Sequence, residues 1–350
     1  MTQATQTIDK TNELKRSMIT IRDLAGDEET LQRYNNIKKL NIRSSIYDVT
    51  NKCNLRCTGC FFYSSEQDKV ASDETDLGKL EDFVLGEKAR GVNNAILIGG
   101  EPTLFLDRIE VFYKHLPTFC ATNGLIKVPR DRFPDMMIGI SLWGNDEHEE
   151  KLRGKKTFSI SLKHYEGDDK VYYLYTITPN NLDVIEEITI KIKNAGLKIH
   201  YQLYSNDEDV SGFDWTDEEK EMVKDKMDEM LDKYPETVVS TKYYHQVLVD
   251  NEMLGRKWGW NECPSVSLDW DDRDPQPKRL IGFQSFASDL KTIHRCCTSD
   301  TRECDSCNDG AAKMSWIMTN KREHMKSPED FRNWLEVTEM FAKLYQYVPW

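Results

Sequence analysis

The spacing of hydrophobic positions alternates between two patterns along the chain, and these patterns predict its architecture. Short apolar runs typical of buried strands lie at 45–50, 95–98, 118–122, 136–142, 171–178 and 198–204. Between them lie longer segments whose apolar residues recur every three or four positions, as on one face of a helix. Strands that alternate with helices favour a parallel sheet with right-handed crossovers. The pattern therefore predicts an α/β fold with six strands.

Several predicted helices have clear ends. Asp27 can cap a helix that extends to Leu40. Ser72 or Asp73 can begin the helix that Gly91 ends. These signals place one helix before the first strand and another directly after it.

The chain changes character after residue 204. Thr216 opens a capping box, and the helix that follows it ends at Pro235. Residues 238–244 are predicted to form a strand. Ser327 and Pro328 begin a final helix that has an apolar side. This part of the chain therefore departs from regular strand–helix alternation.

The cysteines at the end of the first predicted strand are the strongest chemical signal. Cys53, Cys57 and Cys60 have the spacing C-x3-C-x2-C within one short loop. Three thiolates leave one position open on a metal centre that wants four ligands. Iron–sulfur clusters are also held by cysteine thiolates at short loop spacings. The triplet therefore predicts a reactive metal centre, with half of a zinc site or unrelated buried cysteines as the alternatives.

Other polar groups lie where predicted strands end, which is where barrels of parallel strands carry their sites. The stretch Gly99–Pro102 (GGEP) follows the second strand, Asn123 follows the third, and Ser141 lies at the end of the fourth. Two adjacent glycines allow a close backbone approach, and the carboxylate of Glu101 can accept hydrogen bonds from an ammonium group. An ordinary turn is the alternative for GGEP and for Asn123.

The cysteine loop, followed one strand later by GGEP, resembles the signature of the radical S-adenosylmethionine (SAM) enzymes. The resemblance implies a 4Fe–4S cluster on Cys53, Cys57 and Cys60, with one iron open to the amino and carboxylate groups of SAM. One electron then cleaves SAM to a 5′-deoxyadenosyl radical, which abstracts a hydrogen atom from the substrate. The electron donor implied is a flavodoxin or a ferredoxin.

The resemblance also implies particular contacts with SAM. The GGEP stretch, Gly99, Gly100, Glu101 and Pro102, would face the methionine amino group. Ser141 would lie near the SAM carboxylate and ribose, and Arg153 would pair with the carboxylate through its guanidinium. A surface position on a helix is the alternative for Arg153, and a turn position is the alternative for Asn123.

The position before the third cysteine departs from the family pattern. An aromatic residue near the adenine is usual there, whereas this chain has Gly59. Aromatic residues follow directly at Phe61, Phe62 and Tyr63. The predicted adenine neighbour is therefore Phe61 or Phe62.

A second group of cysteines lies near the C-terminus, at Cys263, Cys296, Cys297, Cys304 and Cys307. It resembles the SPASM or twitch extensions of radical SAM enzymes, which hold auxiliary 4Fe–4S clusters. Five cysteines allow one such cluster, on Cys263, Cys304, Cys307 and one of the adjacent pair. Neighbouring residues of an extended segment point to opposite faces, so one of the pair is expected to bind, and we choose Cys296. A structural zinc site is the alternative.

With the resemblance, the chain divides into four predicted parts. Residues 1–44 form a tail and a capping helix, and 45–205 form a partial (β/α)6 barrel similar to a TIM barrel. Residues 206–250 provide a connecting helix and strand. Residues 251–350 form a C-terminal domain with the auxiliary iron–sulfur cluster.

Charge and composition limit the partners. The formal net charge of −13 argues against a nucleic-acid backbone as the main partner. No apolar run has the length of a membrane span, and residues 1–15 lack the apolar region of a secretion signal. Clustered cysteines suit a reducing compartment, so the predicted location is the cytoplasm.

The predicted function is hydrogen abstraction from a small metabolite in a biosynthetic pathway. The first alternative is a SPASM-type maturase that modifies a ribosomal peptide. An alternative of another class is an iron–sulfur or zinc protein without catalytic activity.

Overall fold

The structure is a computed structural model that describes residues 19–64, 69, 72–204, 212–258, 284–295 and 308–346. Within these residues the strands are β1 (Ser44–Asp48), β2 (Asn94–Ile98), β3 (Thr118–Thr122), β4 (Met137–Leu142), β5 (Val171–Ile177), β6 (Lys198–Leu203), β7 (Glu252–Met253), β8 (Arg256–Lys257), β9 (Gln284–Phe286) and β10 (Ile293–Arg295).

The helices of the described residues are α1 (Ile21–Ala25), α2 (Glu28–Leu40), α3 (Phe61–Ser64), α4 (Leu77–Ala89), α5 (Leu106–His115), α6 (Asp146–Arg153), α7 (Phe158–Tyr165), α8 (Ile185–Asn194), α9 (Asp217–Lys233), α10 (Lys242–Asp250), α11 (Gly310–Thr319) and α12 (Pro328–Tyr345). Short 3-10 helices lie at Pro102–Phe105, Pro179–Val184 and Lys321–His324.

One eight-stranded sheet dominates the molecule, in the order β10-β9-β1-β2-β3-β4-β5-β6. Strands β1 to β6 are parallel, and each pairs with its successor in the sequence, as in Ile46↔Ile96 between β1 and β2. The six predicted strands and the partial barrel that they form are therefore confirmed. Because parallel strands point the same way, the loops that carry the predicted site emerge at one mouth of the barrel.

The C-terminal part of the chain extends this sheet. Strand β9 pairs in parallel with β1 through Tyr47↔Phe286, and β10 returns antiparallel to β9. The sequence did not predict these strands, because three residues are too few to establish an apolar period. The predicted C-terminal domain thus shares β9 and β10 with the barrel sheet, whereas β7 and β8 pair with each other in a separate two-stranded sheet. The boundary of this domain at residue 251 stays a prediction.

The strand predicted at 238–244 is wrong. Val238 forms only an isolated bridge with Ile199, and α10 begins at Lys242. The side chain of Thr241 accepts a hydrogen bond from the backbone N–H of Tyr244 and caps this helix. The cap favours a helix over a strand here, and the helix buries one apolar face of α10.

The two faces of the strands bury different layers. Tyr47 points outward from β1 and packs on Phe112 and Phe286, with ring centroids 4.9 and 5.7 Å away. Ile46 points inward, and α11 and α12 contribute side chains to the lining of the barrel interior. Helix α2, capped by Asp27 as predicted, packs on α12 through a bidentate ion pair between Arg33 and Glu339.

Cys120 lies on β3 with no exposed surface, and burial raises the pKa of its thiol well above the usual value. It is therefore the core thiol that its position on a barrel strand suggests.

Among the described helices, none is both long and apolar enough to cross a membrane.

Candidate active site

The three cysteines of the loop lie together at the barrel mouth, directly after β1. All three side chains are half-buried. The backbone N–H of Leu55 donates to Sγ of Cys53 at 3.4 Å, and the N–H of Cys60 donates to the carbonyl of Cys57 at 3.3 Å. Burial raises the pKa of the Cys53 and Cys60 thiols, so binding of a metal cluster must displace their protons.

The donor set fits an iron–sulfur cluster. Three thiolates on one loop are the ligands that such clusters take, and each binds its own iron. Across the described ranges, no three His, Cys, Asp or Glu side chains are arranged around a single metal ion.

The two glycines of GGEP make room for the cysteine loop. Gly100 N–H donates to the carbonyl of Thr50, and Glu101 N–H donates to the carbonyl of Lys52, both at 2.8 Å. Gly99 has φ +122°, and a Cβ there would lie 2.6 Å from the oxygen of Thr50. A Cβ on Gly100 would overlap the carbonyl oxygen of Lys52. These contacts require glycine, while contact of the same residues with SAM stays a prediction.

The carboxylate of Glu101 holds the ends of two strands together. It is buried and accepts from the backbone of Thr103 at 3.0 Å, from Oγ1 of Thr122 at 2.7 Å and from Asn123 N–H at 2.8 Å. Asn123 in turn donates through Nδ2 to Oδ1 of Asn54 at 2.7 Å. The predicted cofactor residues Glu101 and Asn123 thus tie the cysteine loop to β2 and β3. Pro102, the last of the GGEP stretch, is buried at the first turn of a 3-10 helix.

Arg153 is buried between the cysteine loop and β4. Its Nη1 donates to the carbonyl of Ser141 at 2.5 Å and to Glu149 at 3.0 Å. Although burial opposes the charge, Glu149 and a hydrogen bond with Cys57 raise the pKa of Arg153. Glu149 also accepts from the backbone N–H of Trp143 at 2.5 Å. The structure brings the predicted residues Arg153, Ser141 and Cys57 together, and pairing of Arg153 with the SAM carboxylate stays a prediction.

The space beside Gly59 is occupied by aromatic side chains from elsewhere in the chain. Gly59 has φ +66°, and a Cβ there would overlap the hydroxyl of Tyr204 and lie 3.2 Å from the ring of Phe213. Tyr204 Oη donates to the Gly59 carbonyl at 2.9 Å. Trp143, Leu152, Tyr204 and Phe213 form a separate buried apolar cluster, which we call the mouth cluster.

Phe61 and Phe62 begin α3, immediately after the third cysteine. Phe62 is buried and packs edge-on against Tyr63 with centroids 5.6 Å apart. The side chain of Phe61 lies outside the described part of the structure. A contact of either ring with adenine therefore stays a prediction.

Asp73 is a site residue that no sequence pattern identifies. The sequence predicts Ser72 or Asp73 as the start of the helix, whereas Asp76 caps α4. Asp73 instead accepts from Oγ1 of Thr50 at 2.6 Å, from Asn51 N–H at 3.0 Å and from Oγ of Ser288 at 2.7 Å. It thereby joins the start of the cysteine loop to the segment after β9. No local signal identifies this role, because Ser288 is distant in the sequence.

Asp48, the last residue of β1, is a second missed residue. It lies on the same face of β1 as Ile46, which lines the barrel interior. Burial raises the pKa of its carboxyl to about 8. A carboxyl that keeps its proton near neutral pH therefore faces inward below the cysteine loop.

The predicted auxiliary ligands Cys263, Cys296, Cys304 and Cys307, together with Cys297, lie outside the described residues. The described segments that flank them in the sequence end at Trp258 and Arg295 and begin again at Asn308. The auxiliary cluster and its zinc alternative stay predictions.

A parallel partial barrel with three cysteines at its mouth defines a class of SAM-cleaving iron–sulfur proteins. Residues 47–226 match the family model described as the radical SAM superfamily. The chain belongs to this superfamily and is a radical SAM enzyme. A search of the curated proteins finds no significant match.

Solved structures show the same fold at low sequence identity. The structure "Native anSMEcpe with bound AdoMet" aligns with a TM-score of 0.52 and 15% identity, covering 87% of this chain and 98% of that chain. SuiB of Streptococcus suis bound to its precursor peptide SuiA aligns with a TM-score of 0.51 and 14% identity, covering 87% of this chain and 75% of that chain. These likenesses support the fold.

Proposed function

We propose that this radical SAM enzyme abstracts a hydrogen atom from a small metabolite in a biosynthetic pathway. The product would arise by oxidation, rearrangement or bond formation. The observation that carries the proposal is the position of Cys53, Cys57 and Cys60 at the mouth of a barrel whose apolar interior is lined by α11 and α12. A small apolar interior suits a small substrate and limits the access of water to a reactive intermediate.

In this proposal Cys53, Cys57 and Cys60 hold a 4Fe–4S cluster. When bound, the cluster and SAM supply the carbon radical that attacks a substrate C–H bond, and this hard chemistry belongs to the cofactor. The protein's own residues position the cysteine loop. The N–H of Gly100, just after β2, donates to the carbonyl of Thr50, and the hydroxyl of Tyr204, just after β6, donates to the carbonyl of Gly59.

The proposed electron donor is a flavodoxin or a ferredoxin, because one electron is needed for each cleavage. In the assay, dithionite can replace it. The protein should be reconstituted with iron and sulfide and then given SAM and dithionite, and 5′-deoxyadenosine should form. A protein without catalytic activity predicts none, and that result would end the proposal.

Cys57→Ala should abolish deoxyadenosine formation, because it removes one of three cluster ligands. Cys120→Ala is the matched control, since Cys120 is a buried core thiol away from the loop. Iron content should fall in the first variant and persist in the second. SAM cleavage by Cys57→Ala at the wild-type rate would contradict the assignment of the triplet.

The alternative substrate is a ribosomally made peptide. The observation that raises it is the fold likeness to SuiB, a protein whose structure was determined with its precursor peptide SuiA. A mass change in a candidate precursor peptide, with no change in a metabolite extract, would favour this alternative.

We propose further that Cys263, Cys296, Cys304 and Cys307 hold one auxiliary 4Fe–4S cluster. Such a cluster can accept an electron from a substrate radical or carry electrons to the first site. Metal analysis of a variant that lacks Cys53, Cys57 and Cys60 tests this. About four irons per chain would support the cluster, and zinc without iron would replace it by a structural zinc site.

A further inference from the structure

An apolar cavity of about 140 Å³ lies inside the barrel. Its walls include Ile46 on β1, Ile98 on β2, Ala121 on β3 and Leu174 on β5. These are inward positions, because other lining residues of β1, β2 and β3 lie two positions away along each strand. We call this space the barrel cavity.

Two C-terminal helices line one side of the barrel cavity. Helix α11 contributes Ala311, Met314 and Ser315, and α12 contributes Phe341 and Tyr345. Protein interiors are packed as densely as organic crystals, so an unfilled apolar space of this size departs from ordinary core packing. An engineered apolar cavity of about 150 Å³ binds benzene, which shows the size of group that fits.

The upper end of the barrel cavity adjoins the cysteine loop. Ile98 is the last residue of β2, and the next two residues are Gly99 and Gly100. The Gly100 N–H donates to Thr50 at the start of the loop at 2.8 Å. The end of the cavity at Ile98 is therefore two residues along the chain from a backbone contact with the loop that carries the cysteines.

We propose that the barrel cavity binds a hydrocarbon group of the substrate, either a branched aliphatic or a phenyl group. This inference rests on the proposed function, and it names the chemical class that the function leaves open. The apolar walls exclude a charged group, because an ion inside them would lose its hydration without gaining a partner. The remainder of the substrate extends toward the barrel mouth, where the polar side chains lie.

Helix α11 sets the size of the group that fits. Ala311 is the smallest residue on this wall, and Met314 is flexible enough to adapt to different shapes. Ala311→Leu would fill part of the cavity while keeping a good helix former. Ala89→Leu is the matched control, since Ala89 is exposed on α4 outside the barrel.

Toluene is the probe, and thermal unfolding of the reconstituted protein is the first measurement. Toluene at ten times its Kd should raise Tm by roughly 2–3 °C in the wild type and in Ala89→Leu. The rise should be lost in Ala311→Leu. If Ala311→Leu does not fold, Leu174→Phe narrows the opposite wall in the same way. Absence of a rise in the wild type, or an equal rise in the filled variant, would overturn the proposal.

The second measurement tests proximity to the site of chemistry. With perdeuterated toluene, SAM and dithionite, one deuterium atom should move from the methyl group to the 5′ carbon of deoxyadenosine. The benzyl radical left behind takes an electron from dithionite and a proton from water. Mass spectrometry should find the deuterium with the wild type and Ala89→Leu, but not with Ala311→Leu. Toluene binding without deuterium transfer would overturn the assignment of the cavity to the substrate.

The two proposals fail in different ways. If the wild type makes no deoxyadenosine, the proposed function fails, whatever the thermal shifts show. If it makes deoxyadenosine but shows no toluene effect, only the hydrocarbon pocket is overturned.

Discussion

The contact between Gly59 and Tyr204 allows a sharp test of how the cysteine loop is held. Gly59→Ala introduces two separate costs, a left-handed backbone at φ +66° and an overlap with the Tyr204 hydroxyl. Gly154→Ala introduces only the first cost, since Gly154 has φ +75° and no atom within 4 Å of the added Cβ. The two alanine variants therefore separate strain from overlap.

The magnitudes follow from the contacts. A left-handed alanine costs roughly 1–2 kcal/mol, and overpacking adds roughly 1–3 kcal/mol. Gly154→Ala should thus lose roughly 1–2 kcal/mol of unfolding free energy and Gly59→Ala roughly 2–5 kcal/mol. Tyr204→Phe removes one hydrogen bond and should cost about 1 kcal/mol. In the double variant the hydroxyl is absent, and the nearest ring atom is Cζ at 3.0 Å.

Denaturant unfolding of the wild type and the Gly59 and Tyr204 variants gives the double-mutant cycle. The double variant should be more stable than the sum of the single costs predicts, by roughly 1 kcal/mol or more. Iron bound after reconstitution should fall in Gly59→Ala and recover in the double variant. Additive costs, or equal losses in Gly59→Ala and Gly154→Ala, would refute the idea that Tyr204 fills the place of a side chain at position 59.

Three further predictions concern buried charge. Arg153→Gln leaves the Glu149 carboxylate buried without its cation, and the free energy of unfolding should fall by about 3–5 kcal/mol. A loss below about 1 kcal/mol would show that the ion pair is dispensable for stability. Burial lowers the pKa of His200 to about 4, so between pH 6.5 and 4 the unfolded chain binds a proton that the native state does not, and stability should fall as pH falls. His200→Phe should reduce this slope. Burial raises the pKa of Asp48 to about 8, so between pH 4 and 8 the native state holds the extra proton, and stability should fall as pH rises, by up to about 1.4 kcal/mol per pH unit. The slopes of His200 and Asp48 oppose each other between pH 4 and 6.5, so Asp48→Asn should steepen acid destabilisation there, and an unchanged profile would contradict the assignment.

The strands of the barrel could be predicted because burial on both faces makes each one a run of apolar residues. The end of α2 and its Asp27 cap followed from local chemistry in the same way. Strand β9 is not predicted from the sequence, and the beginning of helix α10 is wrongly predicted as a strand. One is too short to show a period, and the cap at Thr241 outweighs the preference of its neighbours for strands.

Some parts of the site could likewise be predicted and others could not. The cysteine triplet and GGEP are contiguous motifs, so they can be recognised from the sequence alone. The contacts that hold them are not contiguous. Asp73 accepts a hydrogen bond from Ser288, and Tyr204 donates one to Gly59. Both pairs are far apart in the sequence and come together only in the folded barrel. A single sequence carries no pattern that links such pairs.

The pairing of β1 with β9 also bears on how the chain is made. Strand β1 leaves the ribosome early, while Phe286, its partner on one side, follows only after most of the chain has been synthesised. Until then one edge of β1 exposes unpaired backbone groups, which is the kind of edge that recruits other chains. Ser288 arrives at the same late moment and completes the hydrogen bonds of Asp73 beneath the cysteine loop. Iron–sulfur assembly on a nascent chain would therefore meet an incompletely anchored loop until the segment around Ser288 has been synthesised.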